Sequence, residues 1–217
     1  MLTRSQFEIA CKAFIATHST VVPHSPAAEA LQGWSWNEHP SVPGLGFMSR
    51  TAIHYWRTRS ISTDPLPIAD DLEEAFSEED EASTTSASET LRSQQYVVYS
   101  ATFQVPAFYF TVHDSQGIPL SLSDLVRTSL FHPFAFEQTN STTFGLTRPS
   151  SSFPLLSQGD HPILGTPSWY LHPCETATSV NEIMAELHRD DWSEEQRLVR
   201  WLETWFMIVG TAVNCRL

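Results

Sequence analysis

Near the start of the chain, Phe7, Cys11, Phe14, Ile15 and His18 recur at three- and four-residue spacing, which predicts a helix with one apolar stripe. Thr3 with Gln6, or Ser5 with Glu8, has the spacing of a capping box that would start it. The pattern then changes. Trp34-Ser35-Trp36 and residues 47–57 read as strands, the second setting Phe47, Ile53 and Tyr55 on one face against Arg50 and His54 on the other. Residues 95–103 and 107–112 are two further β-rich runs. Pro106 lies between them, where a central ladder would not tolerate it, so a tight hairpin is expected there. Asp114 to Gly117 forms a turn, and Ser121 with Asp124 can cap a short helix bearing Leu122, Leu125, Val126 and Leu130.

Residues 131–152 are mixed and rich in Ser and Thr, and read as loop. Residues 153–156 and 168–172 look like a strand pair around the turn containing Gly159-Asp160-His161-Pro162. Ser179 with Glu182 starts a short helix through Ile183, Met184 and Leu187. Ser193 with Gln196 starts the last one. There Leu198, Trp201, Leu202, Trp205, Phe206 and Val209 make an apolar face wide enough to demand burial against a sheet. A helix, a meander of strands, then helices: the order predicts an α+β fold with a mostly antiparallel sheet flanked by helices.

Composition fits one domain spanning residues 1–217, because 41% hydrophobic residues can fill a core of that size. The charge of −13 is unevenly placed. Residues 61–91 hold ten of the 25 acidic residues and none of the 12 basic ones, leaving fifteen acids against twelve bases elsewhere. That segment ends in a Ser/Thr tract and reads as a disordered acidic insert, with Leu72, Ala75 and Phe76 a candidate docking motif inside it. Without clustered Lys and Arg, nucleic-acid binding is not expected. No window approaches about 18 uninterrupted apolar residues, so no transmembrane helix is expected. The first twenty residues lack the basic and apolar regions of a secretory signal. Three cysteines are too few for a disulfide scaffold and fit a reducing compartment, cytoplasm or nucleus.

Chemistry concentrates at Cys174, in His172-Pro173-Cys174. Pro173 fixes its own φ and holds His172 extended, so the cysteine leaves a strand in a set direction, just before a helix. An adjacent imidazole and a helix N-terminus both favour the thiolate. Inert packing is the competing reading of Cys174; Cys11 reads as core and Cys215 as incidental. A metal site of His161, His172, Cys174 and His188 lacks C-x-x-C or H-x-x-x-H spacing. A cysteine protease would need a partner such as His113 or His132, and no protease signature surrounds Cys174. The chain also has no phosphate-binding glycine loop.

Residues 160–176, Asp-His-Pro-Ile-Leu-Gly-Thr-Pro-Ser-Trp-Tyr-Leu-His-Pro-Cys-Glu-Thr, resemble the active-site segment of the autophagy-related protein ten family of E2-like enzymes. The stretch from Tyr96 to Phe110 resembles that family's central strands, and Gly117-Ile-Pro-Leu120 and Trp201 to Gly210 resemble its later elements. Weaker echoes are Trp34-Ser35-Trp36, Gly46-Phe47-Met48 and Leu72 to Phe76. The H-P-C-x-T segment is the specific part, shared otherwise with the sister enzyme acting on autophagy-related eight. The resemblance implies an E2-like core with Cys174 as the thioester nucleophile and His172 as a possible oxyanion donor or orienter of the lysine. It implies a ubiquitin-like protein, autophagy-related twelve, taken from the E1-like autophagy-related seven and passed to a lysine of autophagy-related five. It implies no metal or cofactor, and a cytoplasmic enzyme recruited to the site of autophagosome formation. A catalytically inactive binding module and a cysteine hydrolase are the alternatives. The His-Pro-Asn of conventional ubiquitin E2 enzymes is absent, since His161-Pro162 is followed by Ile163, and Phe103 stands where the family often has Tyr.

One lysine, Lys12, stands against eleven arginines. An enzyme holding an activated acyl group gains from cations that are not nucleophiles; a nucleotide bias toward Arg gives the same count.

Overall fold

The computed structural model describes residues 2–19, 32–57, 89–149, 151, 153–174, 176–187 and 189–214. Most of the acidic insert, with Leu72, Ala75 and Phe76, lies outside the described residues, as do His188 and Cys215.

Helix α1 (Arg4–Ser19) starts with a reciprocal cap: Gln6 N–H donates to Thr3 Oγ1 and Thr3 N–H to Gln6 Oε1, at 3.1 and 3.0 Å. Of the two candidate boxes, Thr3–Gln6 forms. Its stripe of Phe7, Ala10, Cys11 and Phe14 is buried. Among the described residues eight strands follow: β1 (Ser35–Glu38), β2 (Gly46–Tyr55), β3 (Thr90–Ser100), β4 (Val105–His113), β5 (Asn140–Thr142), β6 (Gly145–Thr147), β7 (Pro154–Asp160) and β8 (Pro167–Leu171). They make one antiparallel sheet ordered β1-β2-β3-β4-β8-β7-β6-β5. The short α2 (Leu122–Leu125), capped by Ser121 as expected, leads out of β4. Helices α3 (Thr176–Leu187) and α4 (Glu194–Val209) complete the α+β architecture.

Helix α4 opens with a full capping box, Ser193 with Gln196, and buries the wide face read from its sequence. It packs on α1, where Phe14 stacks on Phe206 at 5.0 Å and His18 meets Glu203 at 3.0 Å. Both helices cover a sheet face of Met48, Val97, Phe108, Phe110 and Leu171. Gly46 is required by a close approach, since a Cβ there would come within 2.0 Å of the Trp36 indole.

Five expectations are sharpened or corrected. In β2 the two faces separate as read, but the buried one carries Arg50 and His54, while Ile53 and Tyr55 are exposed. Partners explain this burial: Arg50 Nε donates to Gln95 Oε1 at 2.8 Å and its guanidinium lies over Trp34. His54 Nε2 meets Ser93 Oγ at 2.9 Å, and Gln95 Nε2 donates to the same hydroxyl at 3.0 Å. A satisfied polar group can be buried, which hydropathy alone does not show. Second, the β3–β4 turn precedes Pro106: Gln104, at φ 54°, closes it with its N–H on Ser100 O, and Pro106 pairs with Tyr99 inside β4. The missing N–H is harmless there because the β4–β8 pairing involves Tyr109 and Phe110, further along. Third, residues 131–152 contain β5 and β6, strands of three residues that are too short to leave a periodic signal. Fourth, α3 begins at Thr176, three residues before Ser179. Fifth, the insert reading overran at its C-terminal end, for Thr90 and Leu91 open β3 and Leu91 is fully buried.

Candidate active site

Strand β8 delivers the site. It is paired with β7 through Leu171, and His172 N–H continues the ladder by donating to Leu155 O at 3.1 Å. Pro173 is buried and turns the chain. Cys174 follows, half-buried, two residues before α3 begins. Three contacts brace this turn. Cys174 N–H donates to His172 Nδ1 at 3.4 Å, and Thr176 reaches Pro173 O with both its N–H (3.3 Å) and its Oγ1 (2.9 Å). The H-P-C-x-T pattern thus has a mechanical meaning: its His and Thr clamp either side of the Pro-Cys corner.

The His172 ring is held by aromatics, stacked on Phe153 at 5.1 Å and edge-on to Phe103 at 5.1 Å. Because Nδ1 accepts from a backbone N–H, the geometry assigns the neutral ring's proton to Nε2. Phe103 keeps the ring contact even though it lacks a tyrosine hydroxyl. Cys174, His172, Arg148, Ser151, Phe153, Pro154 and Leu155 surround a pocket of about 140 Å³. A larger chamber of about 550 Å³ adjoins it through Arg148, Leu155 and His172, with Phe108, Trp205 and Val209 among its apolar walls. Among the described residues Cys174, His172 and Arg148 thus line a small cleft beside a larger chamber. Such a set can run acyl transfer through sulfur.

The other candidates lie elsewhere. Cys11 is inside α1, and burial pushes its thiol well above the ordinary range, so it packs rather than reacts. His161 is buried among Tyr96, Phe47 and Tyr109, at 4.7, 5.1 and 5.6 Å. Its Nδ1 accepts from Ile163 and Leu164 N–H, and burial lowers its pKa to about 4. His161 and His172 consequently do not converge, and among the described residues no cluster of three metal-ligating side chains forms. His113 and His132 do not line the Cys174 pocket. Sequence reading missed Arg148, Phe153 and the clamping role of Thr176. Arg148 and Phe153 lie in the segment dismissed as loop or at its margin, and only the β6–β7 pairing brings them to β8.

Residues 6–217 match the family described as autophagocytosis associated protein, active-site domain. The human protein named ubiquitin-like-conjugating enzyme ATG10 is 28% identical over 152 residues, 70% of this chain and 62% of that protein. The proteins of the same name from Dictyostelium discoideum and Arabidopsis thaliana are 30% and 29% identical over 127 and 122 residues. Each match covers 56% of this chain, with 50% and 48% of those proteins. The matched stretches thus span about half to three-fifths of the relatives' own lengths.

Proposed function

The chain belongs to the autophagocytosis-associated active-site family, and from that premise we propose that it is an E2-like conjugating enzyme using Cys174 as its thioester nucleophile. The observation that carries the proposal is the clamped His172-Pro173-Cys174 corner, which aims a half-buried thiol into a pocket at the end of a rigid strand. The relatives' printed name supports the reaction class. We take the finer assignment from the sequence resemblance: autophagy-related twelve is received from the E1-like autophagy-related seven and passed to a lysine of autophagy-related five, in the cytoplasm at the site of autophagosome formation.

In the first step the Cys174 thiolate attacks the glycyl thioester carbonyl on the E1. A new S–C bond forms, the E1 thiolate leaves, and the exchange is close to isoenergetic. In the second, the acceptor's ε-amine attacks the carbonyl on Cys174; the N–C bond forms, the Cys174 thiolate leaves and the amine's proton passes to solvent. A thiolate is itself a good leaving group, so the chemistry asks mainly for orientation and for a donor near the oxyanion. Backbone N–H groups after Cys174 or the His172 ring would supply that donor.

One gel tests the reading. The chain, the E1, ATP and the ubiquitin-like protein should yield an adduct that a thiol reductant removes. An inactive binding module gives none, and a hydrolase cleaves a peptide or ester without ATP.

A further inference from the structure

Phe153 is a large aromatic residue left 51% exposed at the entry to β7. Its backbone is pinned from both sides by one side chain. Ser151 Oγ donates to Phe153 O at 2.8 Å and accepts from Phe153 N–H at 3.2 Å. Ser151 N–H in turn donates to Arg148 O at 3.0 Å, which ties the segment to the residue after β6. The β7–β8 register sets Leu156 opposite Leu171, and His172 N–H extends it by bonding Leu155 O. Counted on from there, Phe153 is the diagonal neighbour of His172, a position across which aromatic side chains reach each other. The two rings stack, with centroids 5.1 Å apart and planes 22° apart. Phe103 at 5.1 Å and 73°, and Tyr170 at 6.3 Å and 37°, flank the same imidazole. These contacts act on the torsion that most needs them. The χ2 of a histidine is broad, and it alone decides where Nδ1 points once χ1 is set. A turn about χ2 would take Nδ1 off the Cys174 N–H, which it now meets at 3.4 Å.

We propose that Phe153 is a positioning residue for the Cys174 chemistry: its ring sets the χ2 of His172, so that Nδ1 stays on the Cys174 N–H and the corner carrying the nucleophile keeps one shape. The effect on turnover rests on the conjugating role of Cys174; the hold on the imidazole does not. Phe153 acts through His172, so its loss should be felt only while His172 is present. A flat ring is required as well as bulk, because a stack fixes the plane of the imidazole and an aliphatic side chain only fills the space beside it.

The test is a double-mutant cycle. Phe153→Ala, Phe153→Leu and Phe153→Tyr are made in the wild-type chain and in His172→Ala, each confirmed folded by its melting curve, and single-turnover loading and discharge are measured. With His172 present, Phe153→Ala should slow both steps about tenfold, less than removal of the imidazole itself. Phe153→Tyr, which keeps the ring, should stay close to wild type, and Phe153→Leu should fall between. In His172→Ala, Phe153→Ala should add no further loss. Equal losses in the two backgrounds would show that Phe153 serves the cleft directly and overturn the proposal, as would a Leu variant as active as the Tyr variant. The imidazole itself is read from nitrogen spectra of histidine-labelled protein at about pH 8, where an ordinary imidazole is neutral, with His172 assigned by the signal that His172→Ala removes. Wild type and Phe153→Tyr should show one tautomer, protonated at Nε2, and Phe153→Ala an average of the two. An unchanged signal in Phe153→Ala overturns the hold on the imidazole. Absence of a thiol-sensitive adduct in wild type would sink the conjugating reading instead, with the spectra still judging Phe153.

Discussion

Two His-Pro turns bracket β8, and they are built alike. In His161-Pro162-Ile163 and in His172-Pro173-Cys174 the imidazole Nδ1 accepts from the N–H two residues on, at 3.2 and 3.4 Å. His39-Pro40-Ser41, before β2, makes the same bond at 3.1 Å. The motif is thus a general way to fix a corner and aim the residue after the proline. What separates the two turns at β8 is their setting. The first aims Ile163 and buries its imidazole, 1% exposed, among three aromatic rings. The second sets Cys174 on a cleft that Arg148 and Phe153 also line. His172 therefore acts first as a positioning residue, and the chemistry lies in what it positions.

The strongest challenge to that comparison moves the thiol. Cys174→Ser should trap a stable oxyester and abolish transfer to lysine. Adding Ile163→Cys to it should restore no thiol-sensitive adduct, since the first turn has the corner without the cleft; a recovered adduct would show that the corner alone suffices. Next in size is the histidine itself. His172→Ala should slow loading and discharge together by roughly 10²-fold, the cost of a misplaced reacting group. His172→Asn, whose side-chain oxygen can accept the same N–H, should recover most of it. Loading at the wild-type rate with slow discharge would instead place His172 on the intermediate as an oxyanion donor.

His161→Ala is the counterpart and should act on stability. The cavity left among Phe47, Tyr96 and Tyr109 should cost about 2 kcal/mol, which lowers Tm by roughly 4–8 °C in a domain of this size, while any adduct still forms below the melting range. A smaller effect comes from pH. Burial lowers the pKa of both His54 and His161 to about 4, with Arg50 adding to the effect at His54. The unfolded chain titrates these groups near 6.5, so between pH 6.5 and 4 it binds more protons than the fold does. Tm should be level above pH 7, fall by several degrees as pH drops through that window, and level again below it. His161→Gln should flatten part of the slope; an unchanged slope would remove His161 from the account. The smallest effect belongs to Ser193→Ala, which loses the α4 capping box and about 1 kcal/mol, read as a Tm lowered by roughly 2–4 °C.

The capped ends were legible because they are local: Thr3 with Gln6 and Ser193 with Gln196 each satisfy helix N–H groups from within one turn. The stripes of α1 and α4 were legible for the same reason. Legibility failed where distant partners decide. The two faces of β2 could be separated but not oriented, because Gln95, Ser93 and Trp34, which make the burial of Arg50 and His54 tolerable, are remote in sequence. The corner at Cys174 could be read from Pro173 alone. Its cleft could not, because Arg148 and Phe153 flank strands of three and seven residues whose pairing no periodicity announces.

The Arg50–Gln95 pair has a consequence for how β2 finds β3. Residues 56–89 separate the two strands, so no tight turn dictates their alignment, and closing so long a connection leaves many offsets of similar entropy. A slip of one residue would turn Arg50 outward and bring Thr51 inward, and a slip of two would set the guanidinium opposite Ser93 or Val97 in place of the Gln95 amide. The buried pair thus works as an index mark: its hydrogen bond forms in one alignment and is lost in the others. Replacing both partners with Leu should retain much of the stability while broadening the β2–β3 amide resonances into several strand alignments; a single sharp set would show that the apolar residues around the pair already choose the alignment.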